Sequence, residues 1–228
     1  MSETTSTGRL AARPRTPGGR TPPGLHPLAL ADRRVALLYV PPSYAADRPA
    51  PLAVMLHGAG GSAEHGMSLL HAFADEVGLV VLAPPSRGQT WDVIMGRFGP
   101  DVAFVDAALE ATFARCNVAP DRIAVGGFSD GASYALSLGL TNGDLFTHVI
   151  AFSPGFMAPS REVGEPRCYV SHGTRDAVLP IDRCSRRLVP VLERAGYDVR
   201  YREFEGPHTV PAVIAREAVD WFTPTAGG

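Results

Sequence analysis

A serine at position 129 lies in a sequence context that could make it a nucleophile. It belongs to a Gly-Phe-Ser-Asp-Gly stretch at residues 127–131, which follows an apolar run and precedes a helical pattern. A tight turn between a strand and a helix holds such a serine in a sparsely populated backbone conformation and exposes its hydroxyl. The N-terminus of the following helix favours developing negative charge. We therefore predict that Ser129 performs a nucleophilic attack.

Residues that could activate this serine follow two later apolar runs. A serine hydroxyl is a weak nucleophile at neutral pH and needs an adjacent base. His208 follows the last apolar run and is the natural base. Asp176 follows the preceding run and would hold the imidazole in one tautomer and stabilise its protonated form. Asp130 is too close to the serine for either role.

Four motifs, in this order, resemble the α/β-hydrolase superfamily. They are Leu-His-Gly-Ala-Gly-Gly at residues 56–61, Gly-Phe-Ser-Asp-Gly at 127–131, His-Gly-x-x-Asp-x-Val-x-Pro at 172–180, and the late His208. The chain resembles most closely the small, cap-free phospholipase/carboxylesterase type and its polyester-depolymerase-like relatives, from about residue 33 to residue 222. The resemblance implies a nucleophile, an acid and a histidine in chain order, which are Ser129, Asp176 and His208.

Two further residues compete for the roles of acid and base. His172 could serve as a base, but the resemblance assigns it to fixing the loop beside the acid. Asp182 could be the acid, but a helix that begins at Pro180 would contain it.

Acyl transfer also requires two backbone N–H groups that point at the developing oxyanion. One is expected from Asp130. The resemblance implies that the other comes from Ala59, with Gly60 as the alternative. We expect His57 to brace this loop, with a role as a ligand as the alternative. Family members often have Gln, Asn or an apolar residue in place of Asp130. A carboxylate aimed at an oxyanion in a dry site would be strongly unfavourable, so we predict that it points away, onto the helix N-terminus.

Apolar residues at other strand ends are candidates for the substrate pocket, because pockets are mostly apolar. Packing in the core is the competing interpretation for the same side chains. The short segment between residues 152 and 167 predicts an open site without a cap domain. The candidates are Trp91, Met95, Phe98, Phe156, Met157 and Val178.

The elements that must position these residues alternate between strand and helix. Strands with no polar alternation are buried on both faces, as in a parallel sheet covered by helices. We predict a three-layer α/β-hydrolase sandwich with a mostly parallel central sheet, whose ligands bind beyond the carboxyl ends of the strands. The predicted strands are 35–40, 52–56, 79–83, 123–125, 149–152, 168–171 and 199–204, and the predicted helices are 64–77, 101–116 (capped by Asp101), 132–140, 180–195 and 209–222.

The composition fits one globular domain after a short lead-in. The chain has 228 residues, of which 45% are hydrophobic and 19% charged. Residues 1–24 contain four Pro, four Gly and four Arg. We expect them to form a loosely ordered lead-in with one edge strand near residues 9–13, followed by a single catalytic domain over residues 25–228. Deleting residues 1–20 should then leave stability and activity unchanged.

Charge and cysteine content exclude several classes of function. The net charge of −2, with all 21 basic residues being Arg, offers no electrostatic case for binding nucleic acid or a membrane surface. No apolar stretch approaches the roughly 18 residues of a membrane span. Three sparse cysteines favour a reducing compartment, and we expect the cytoplasm.

No cofactor or metal is expected. The seven histidines do not form a ligand pattern with a third residue, and the glycines at residues 58–61 lack the spacing of a nucleotide fingerprint. The resemblance implies a serine hydrolase that acts on a small-molecule carboxylic ester, as a monomer or a weak homodimer. A thioesterase or a lysophospholipase would use the same triad. An aliphatic polyester depolymerase and a catalytically inactive binding module are also consistent with this fold.

Overall fold

A computed structural model of the protein describes residues 6–19, 21–30 and 34–223. The strands of the central sheet are β1 (Gly24–Ala29), β2 (Val35–Val40), β3 (Ala50–Leu56), β4 (Val80–Ala83), β5 (Val118–Phe128), β6 (His148–Phe152), β7 (Arg167–Gly173) and β8 (Val199–Phe204). The α-helices are α1 (Ala63–Ser68), α2 (His71–Val77), α3 (Pro100–Phe113), α4 (Asp130–Thr141), α5 (Ser185–Arg194) and α6 (Ala212–Phe222).

The strands form one sheet in the order β1-β2-β4-β3-β5-β6-β7-β8. The first two pairings, β1 with β2 and β2 with β4, are antiparallel. The other five pairings are parallel. Strands β3 and β4 are buried along their whole length, which agrees with their unbroken apolar sequences.

Helices cover both faces of this sheet. The larger apolar cluster joins one face to α3, α4 and α5. The smaller cluster joins the other face to α1, α2 and α6. The described chain between β6 and β7 contains no helix or strand, and no cap domain is inserted there. The three-layer, mostly parallel architecture and the open top predicted from the sequence are confirmed.

The helix predicted over residues 64–77 is wrong in one respect, because it is broken into α1 and α2. The amides of Leu69 and Leu70 bond to the carbonyls of Gly66 and Met67, three residues back, and the next helix starts at His71. Gly66 lies directly over β3, where a Cβ would stand 2.5 Å from the carbonyl oxygen of Met55. Apolar periodicity does not reveal this break, because the buried residues continue on both sides of it.

Three further helix boundaries differ from the prediction. A 3₁₀ helix, Ile181–Arg183, follows Pro180, and the backbone turns at Cys184 before α5 begins. Helix α6 begins three residues later than predicted, after Pro211 at its N-cap. Helix α3 is capped by Gly99, so the prediction that Asp101 is its cap is wrong. Asp101 lies in the first turn, where its buried carboxylate accepts hydrogen bonds from groups outside the helix.

The lead-in makes more contacts than its composition predicts, and the edge strand expected near residues 9–13 is not formed. Leu10 is only 2% exposed within the larger core cluster. The Asn142 side chain accepts the N–H of Leu10 and donates to the carbonyl of Gly8. Arg9 pairs with Asp144 at 2.7 Å.

Strand β1, at the end of the predicted lead-in, is not among the strands that the sequence predicts. The first five residues and Arg20 lie outside the described residues.

Within the described ranges, no helix is long and apolar enough to cross a bilayer. The three cysteines are buried and unpaired.

Candidate active site

Ser129 occupies a strained turn between β5 and α4. Its backbone angles are φ 57° and ψ −120°, a region that non-glycine residues rarely adopt. The amide of Ser129 donates to the carbonyl of Phe152 on the neighbouring strand. Gly127 is required here because a Cβ would stand 2.6 Å from the carbonyl oxygen of Leu56. Gly131 meets the same oxygen even more closely. The two glycines therefore allow the turn to press against β3 and present the serine hydroxyl above the sheet.

The structure brings Ser129, His208 and Asp176 into one hydrogen-bonded row. The Nε2 atom of His208 lies 2.9 Å from the Oγ atom of Ser129. On the other side of the ring, Nδ1 lies 2.5 Å from the Oδ2 oxygen of Asp176. Because a carboxylate only accepts, Nδ1–H is the donor and Nε2 is left to accept the serine proton. The ring of Phe128 packs against that of His208 at a centroid distance of 4.6 Å.

The carboxylate of Asp176 is held ionised by its loop. Its side chain is fully buried, and its Oδ1 atom accepts the amides of Val178 at 2.9 Å and Leu179 at 2.8 Å. Burial alone would raise the pKa of Asp176. The hydrogen bonds from Leu179, His208 and Val178 outweigh burial and lower that pKa below its ordinary value.

His172 supports the acid loop from below. Its Nε2–H donates to the carbonyl oxygen of Leu179 at 2.8 Å, and its Nδ1 lies 2.6 Å from the hydroxyl of Ser185. Burial lowers the pKa of His172. The side chain is completely buried and its nitrogens are occupied, which fits the loop-fixing role and not that of a base. The competing acid, Asp182, is exposed and pairs with Arg186.

The loop after β3 contains the alanine and glycine amides that the sequence indicated as candidate oxyanion donors. The amide of Gly60 donates to the carbonyl of Gln89 at 2.6 Å, and the amide of Gly61 donates to that of Gly58. These bonds remove Gly60 as an oxyanion donor. The described residues provide no acceptor for the amide of Ala59, so it is the available group. The amide of Asp130, in the first turn of α4, is the second candidate donor.

His57 and Trp91 brace this loop from beneath. The amide of Ser86 donates to Nε2 of His57 at 2.9 Å, so Nδ1–H donates to the carbonyl of Gly58 at 2.7 Å. Burial lowers the pKa of His57, which keeps this neutral form. The indole of Trp91 donates to the carbonyl of His57 at 2.8 Å and stacks on Tyr134.

Thr90 is a site residue that the sequence did not indicate. Its hydroxyl donates to the Oδ2 atom of Asp130 at 2.6 Å. The carboxylate of Asp130 is therefore bound by a threonine of another loop and not by the helix N-terminus, and its orientation away from the serine stays a prediction.

The segment over residues 86–92 is anchored by the buried carboxylate of Asp101 and the half-buried carboxylate of Asp92. Asp101 accepts the amides of Arg87 and Asp92 and pairs with Arg34 at 2.8 Å. Asp92 in turn accepts the amide of Asp101. Burial raises the pKa of Asp92 to about 6. Because residues 86–91 contact His57, Gly60 and Asp130, this anchor supports both halves of the candidate oxyanion site.

The predicted substrate residues do not form one pocket. Trp91 and Phe98 are buried in the core, at 0% and 3% exposure, and pack on Tyr134, so they are not accessible to a substrate. Met95 and Val178 are exposed. Phe156 and Met157 are half-buried against the larger core cluster.

A cleft of about 520 Å³ instead opens beside His208. Its apolar walls include Leu69, Phe73, Phe128 and Val210. The loop at residues 58–61 forms its rim. The helical spacing of Leu69 and Phe73 is the sequence signal for this wall. The same spacing is typical of a helix face that packs in the core, so it does not distinguish the two.

The fold and the serine, histidine and aspartate geometry define an α/β-hydrolase of the carboxylesterase type. The profile of the phospholipase/carboxylesterase family matches residues 101–218. The chain belongs to this family.

Curated relatives agree with this class, and a solved structure agrees with the fold. The chain is 28% identical over 176 residues to a protein named "Probable feruloyl esterase C" of Aspergillus niger, covering 73% of this chain and 64% of the relative. It is 30% identical over 123 residues to an acetylxylan esterase of Coprinopsis cinerea, covering 49% and 33%. The chain thus spans less than two thirds of the length of these relatives.

A phospholipase/carboxylesterase structure from Dyadobacter fermentans has a TM-score of 0.63 and 23% identity, covering 82% of this chain and 95% of that one.

Proposed function

We propose that this protein hydrolyses carboxylic esters through an acyl-enzyme on Ser129, with His208 as general base and Asp176 orienting it. The observation that carries the proposal is the continuous row from Ser129 Oγ through His208 to Asp176, with separations of 2.9 and 2.5 Å. The distance between Ser129 Oγ and His208 Nε2 lies within the range required for proton transfer between a nucleophile and its base, and the second contact ties the same ring to the carboxylate.

In the acylation step, Nε2 of His208 takes the proton of Ser129 while Oγ attacks the ester carbonyl carbon. The imidazolium that forms is stabilised by the buried carboxylate of Asp176, whose lowered pKa keeps it ionised. The carbonyl oxygen becomes an oxyanion, which the amides of Ala59 and Asp130 would stabilise. His208 then returns the proton to the alcohol oxygen as the C–O bond breaks, which leaves the acyl group on Ser129.

In the deacylation step, water takes the place of the alcohol. His208 removes a proton from this water, which attacks the acyl carbon, and returns the proton to Ser129 Oγ as the carboxylic acid leaves. Every step uses side chains and amides of this chain.

Oxygen esters are the favoured substrates among those that the same triad could cleave. The two named relatives are esterases, and their names refer to feruloyl and acetylxylan esters. A small-molecule ester therefore remains the proposed substrate, ahead of a thioester, a lysophospholipid or an aliphatic polyester. The cytoplasmic location and a weak homodimer stay predictions.

A fluorophosphonate probe tests the proposal directly. Such a probe phosphonylates a serine only where a base activates it. We expect stoichiometric labelling that maps to Ser129 by peptide mass spectrometry and disappears in Ser129→Ala. Labelling of another serine, or none in a folded protein that hydrolyses esters, would contradict the assignment.

A further inference from the structure

The cleft beside His208 has a lining without permanent charge. Its apolar walls are Leu69, Phe73, Phe128 and Val210, with small residues of α2 and α6 between them. The polar side chains of His65, Ser68 and Thr209 also line it. No Asp, Glu or Arg is among the described residues that line it. A charged group entering this cleft would lose hydration without gaining a partner. Its volume of about 520 Å³ is within the range of small-molecule sites.

The position of the cleft relative to the histidine distinguishes the two halves of an ester. His208 lines the cleft directly, and Phe128, another wall residue, packs against its ring. The proton that Nε2 takes from Ser129 must be passed to the leaving alcohol oxygen, so the alcohol must lie next to this nitrogen.

Phe156 and Met157, which were also candidates for a substrate pocket, pack on the other face of the sheet from the cleft. Phe156 and Met157 pack against the larger core cluster, whereas Leu69, Phe73, Phe128 and Val210 pack against the smaller one. The two core clusters lie on opposite faces of the sheet, and Ser129 stands above the strand between them. The side with His208 is the side of the leaving group.

We infer that the cleft between the loop at residues 58–61, helix α2 and His208 binds the alcohol portion of the ester, and that this alcohol is uncharged and apolar. The inference rests on the hydrolysis proposed above and deepens it by assigning the leaving-group site. We therefore expect esters of alcohols with aryl or medium-length alkyl groups to be better substrates than esters of alcohols that carry a phosphate or an ammonium group.

Two substrate series separate the alcohol site from the acyl site. The first keeps the acetyl group and varies the alcohol from ethanol to benzyl alcohol to 2-naphthylmethanol, which have leaving oxygens of similar basicity. The second keeps methanol and lengthens the acyl chain from acetate to octanoate. Acid release measured in a pH-stat reports every substrate by the same signal. We expect kcat/KM to rise by about tenfold or more across the first series, because each buried carbon adds binding.

A variant that fills the cleft provides the decisive comparison. Ala72 lies on the exposed surface of α2 and lines the cleft, so Ala72→Phe should occupy it. Ala103 is an exposed alanine of α3 outside the cleft, and Ala103→Phe is the matched control. Ala72→Phe should lower kcat/KM for 2-naphthylmethyl acetate by about tenfold or more. It should lower kcat/KM for ethyl acetate less than for the naphthylmethyl ester, because ethanol fills little of the cleft, and Ala103→Phe should leave the ratio of these two values within about twofold. The ratio of kcat/KM for methyl octanoate to that for methyl acetate should change by less than about twofold in both variants.

Each different outcome overturns the inference. If Ala72→Phe lowers kcat/KM selectively for esters with long acyl chains, the cleft binds the acyl group. If it lowers kcat/KM equally for all substrates, or for none, the cleft does not bind the substrate. These results differ from a failure of the hydrolase proposal, in which the parent protein would lack Ser129-dependent hydrolysis of every ester in both series.

Discussion

The hydroxyl of Thr90 donates a 2.6 Å hydrogen bond to the carboxylate of Asp130, the residue after the candidate nucleophile. The bond restrains the direction of a negative charge that lies one residue from the serine at which the proposed oxyanion develops, and we expect it to hold this charge away from the oxyanion. At about 5 Å and an effective dielectric constant of about 20, two such charges repel by about 3 kcal/mol. Thr90 therefore acts on the site through Asp130, as a positioning residue.

Replacing Thr90 by valine should release this carboxylate. Thr90→Val preserves shape but removes the donor, and we expect kcat to fall by about tenfold with KM changed by less than about twofold, because the charge acts on the transition state. Thr90→Ser should retain activity. The double variant Thr90→Val/Asp130→Asn should recover much of the loss, since the amide carries no charge, with Asp130→Asn alone as the reference of this cycle. A double variant as impaired as Thr90→Val would show that only loop structure was lost.

Removing the hydroxyl of Ser129 should abolish most of the activity. Ser129→Ala is expected to lower kcat on a short-chain aryl ester by on the order of 10⁴, because the nucleophile is absent while the remaining site persists. Retention of most of the activity would refute the role of Ser129.

The same position should show a conflict between stability and function. Because φ is 57° at Ser129, a side chain is strained there and glycine is not. Ser129→Gly should be more stable than Ser129→Ala by about 1 kcal/mol in denaturant unfolding, and both should be inactive. Equal stability of the two variants would show that the turn stores no strain.

The packing of Leu10 predicts that the N-terminal segment contributes to stability. Leu10 is 2% exposed, and replacing it by alanine should lower the free energy of unfolding by about 2–3 kcal/mol through lost burial and a cavity. Leu25→Ala is the control, because Leu25 is 53% exposed on β1, and its effect should stay below about 0.5 kcal/mol. The same small effect for both would restore the expectation that residues 1–20 are dispensable.

The fold and the proximity of the three side chains could be predicted because strong local signals carried them. Unbroken apolar runs indicate strands buried on both faces, and parallel strands bring their carboxyl ends to one edge. Ser129, Asp176 and His208 each follow such a run. Thr90 and Asp101 could not be found in this way. Thr90 lies on an irregular segment that has no apolar periodicity, and Asp101 binds the backbone of that segment. Their side-chain partners, Asp130 and Arg34, are distant in sequence.

Trp91 shows the same limitation for apolar residues. An aromatic side chain just beyond a strand end fits a pocket wall and a buried brace equally well by type and spacing. The choice depends on whether its indole N–H finds a buried acceptor, here the carbonyl of His57, and this is a tertiary contact.

The buried ring of His148 should make the protein less stable in mild acid. Burial, with the nearby charge of Arg167, lowers the pKa of His148 to about 4, whereas a histidine in the unfolded chain titrates near a pKa of about 6.5. Between these values the unfolded state binds more protons than the folded state, so stability falls as the pH decreases through this window. The ring contacts Trp221 and Phe222, each at a centroid distance of 5.0 Å.

Because the ring is only half-buried, we expect His148 to account for about 1–2 kcal/mol of stability lost between about pH 7 and pH 4.5. The glutamine of His148→Gln cannot be protonated, so the free energy of unfolding of this variant should fall by about 1–2 kcal/mol less than that of the parent over the same pH interval. Urea unfolding of both proteins at the two pH values measures the difference, and His65→Gln, at an exposed histidine of α1, is the matched control. Parallel pH dependence of the parent and His148→Gln would show that His148 titrates alike in the folded and unfolded states, which would contradict the lowered pKa.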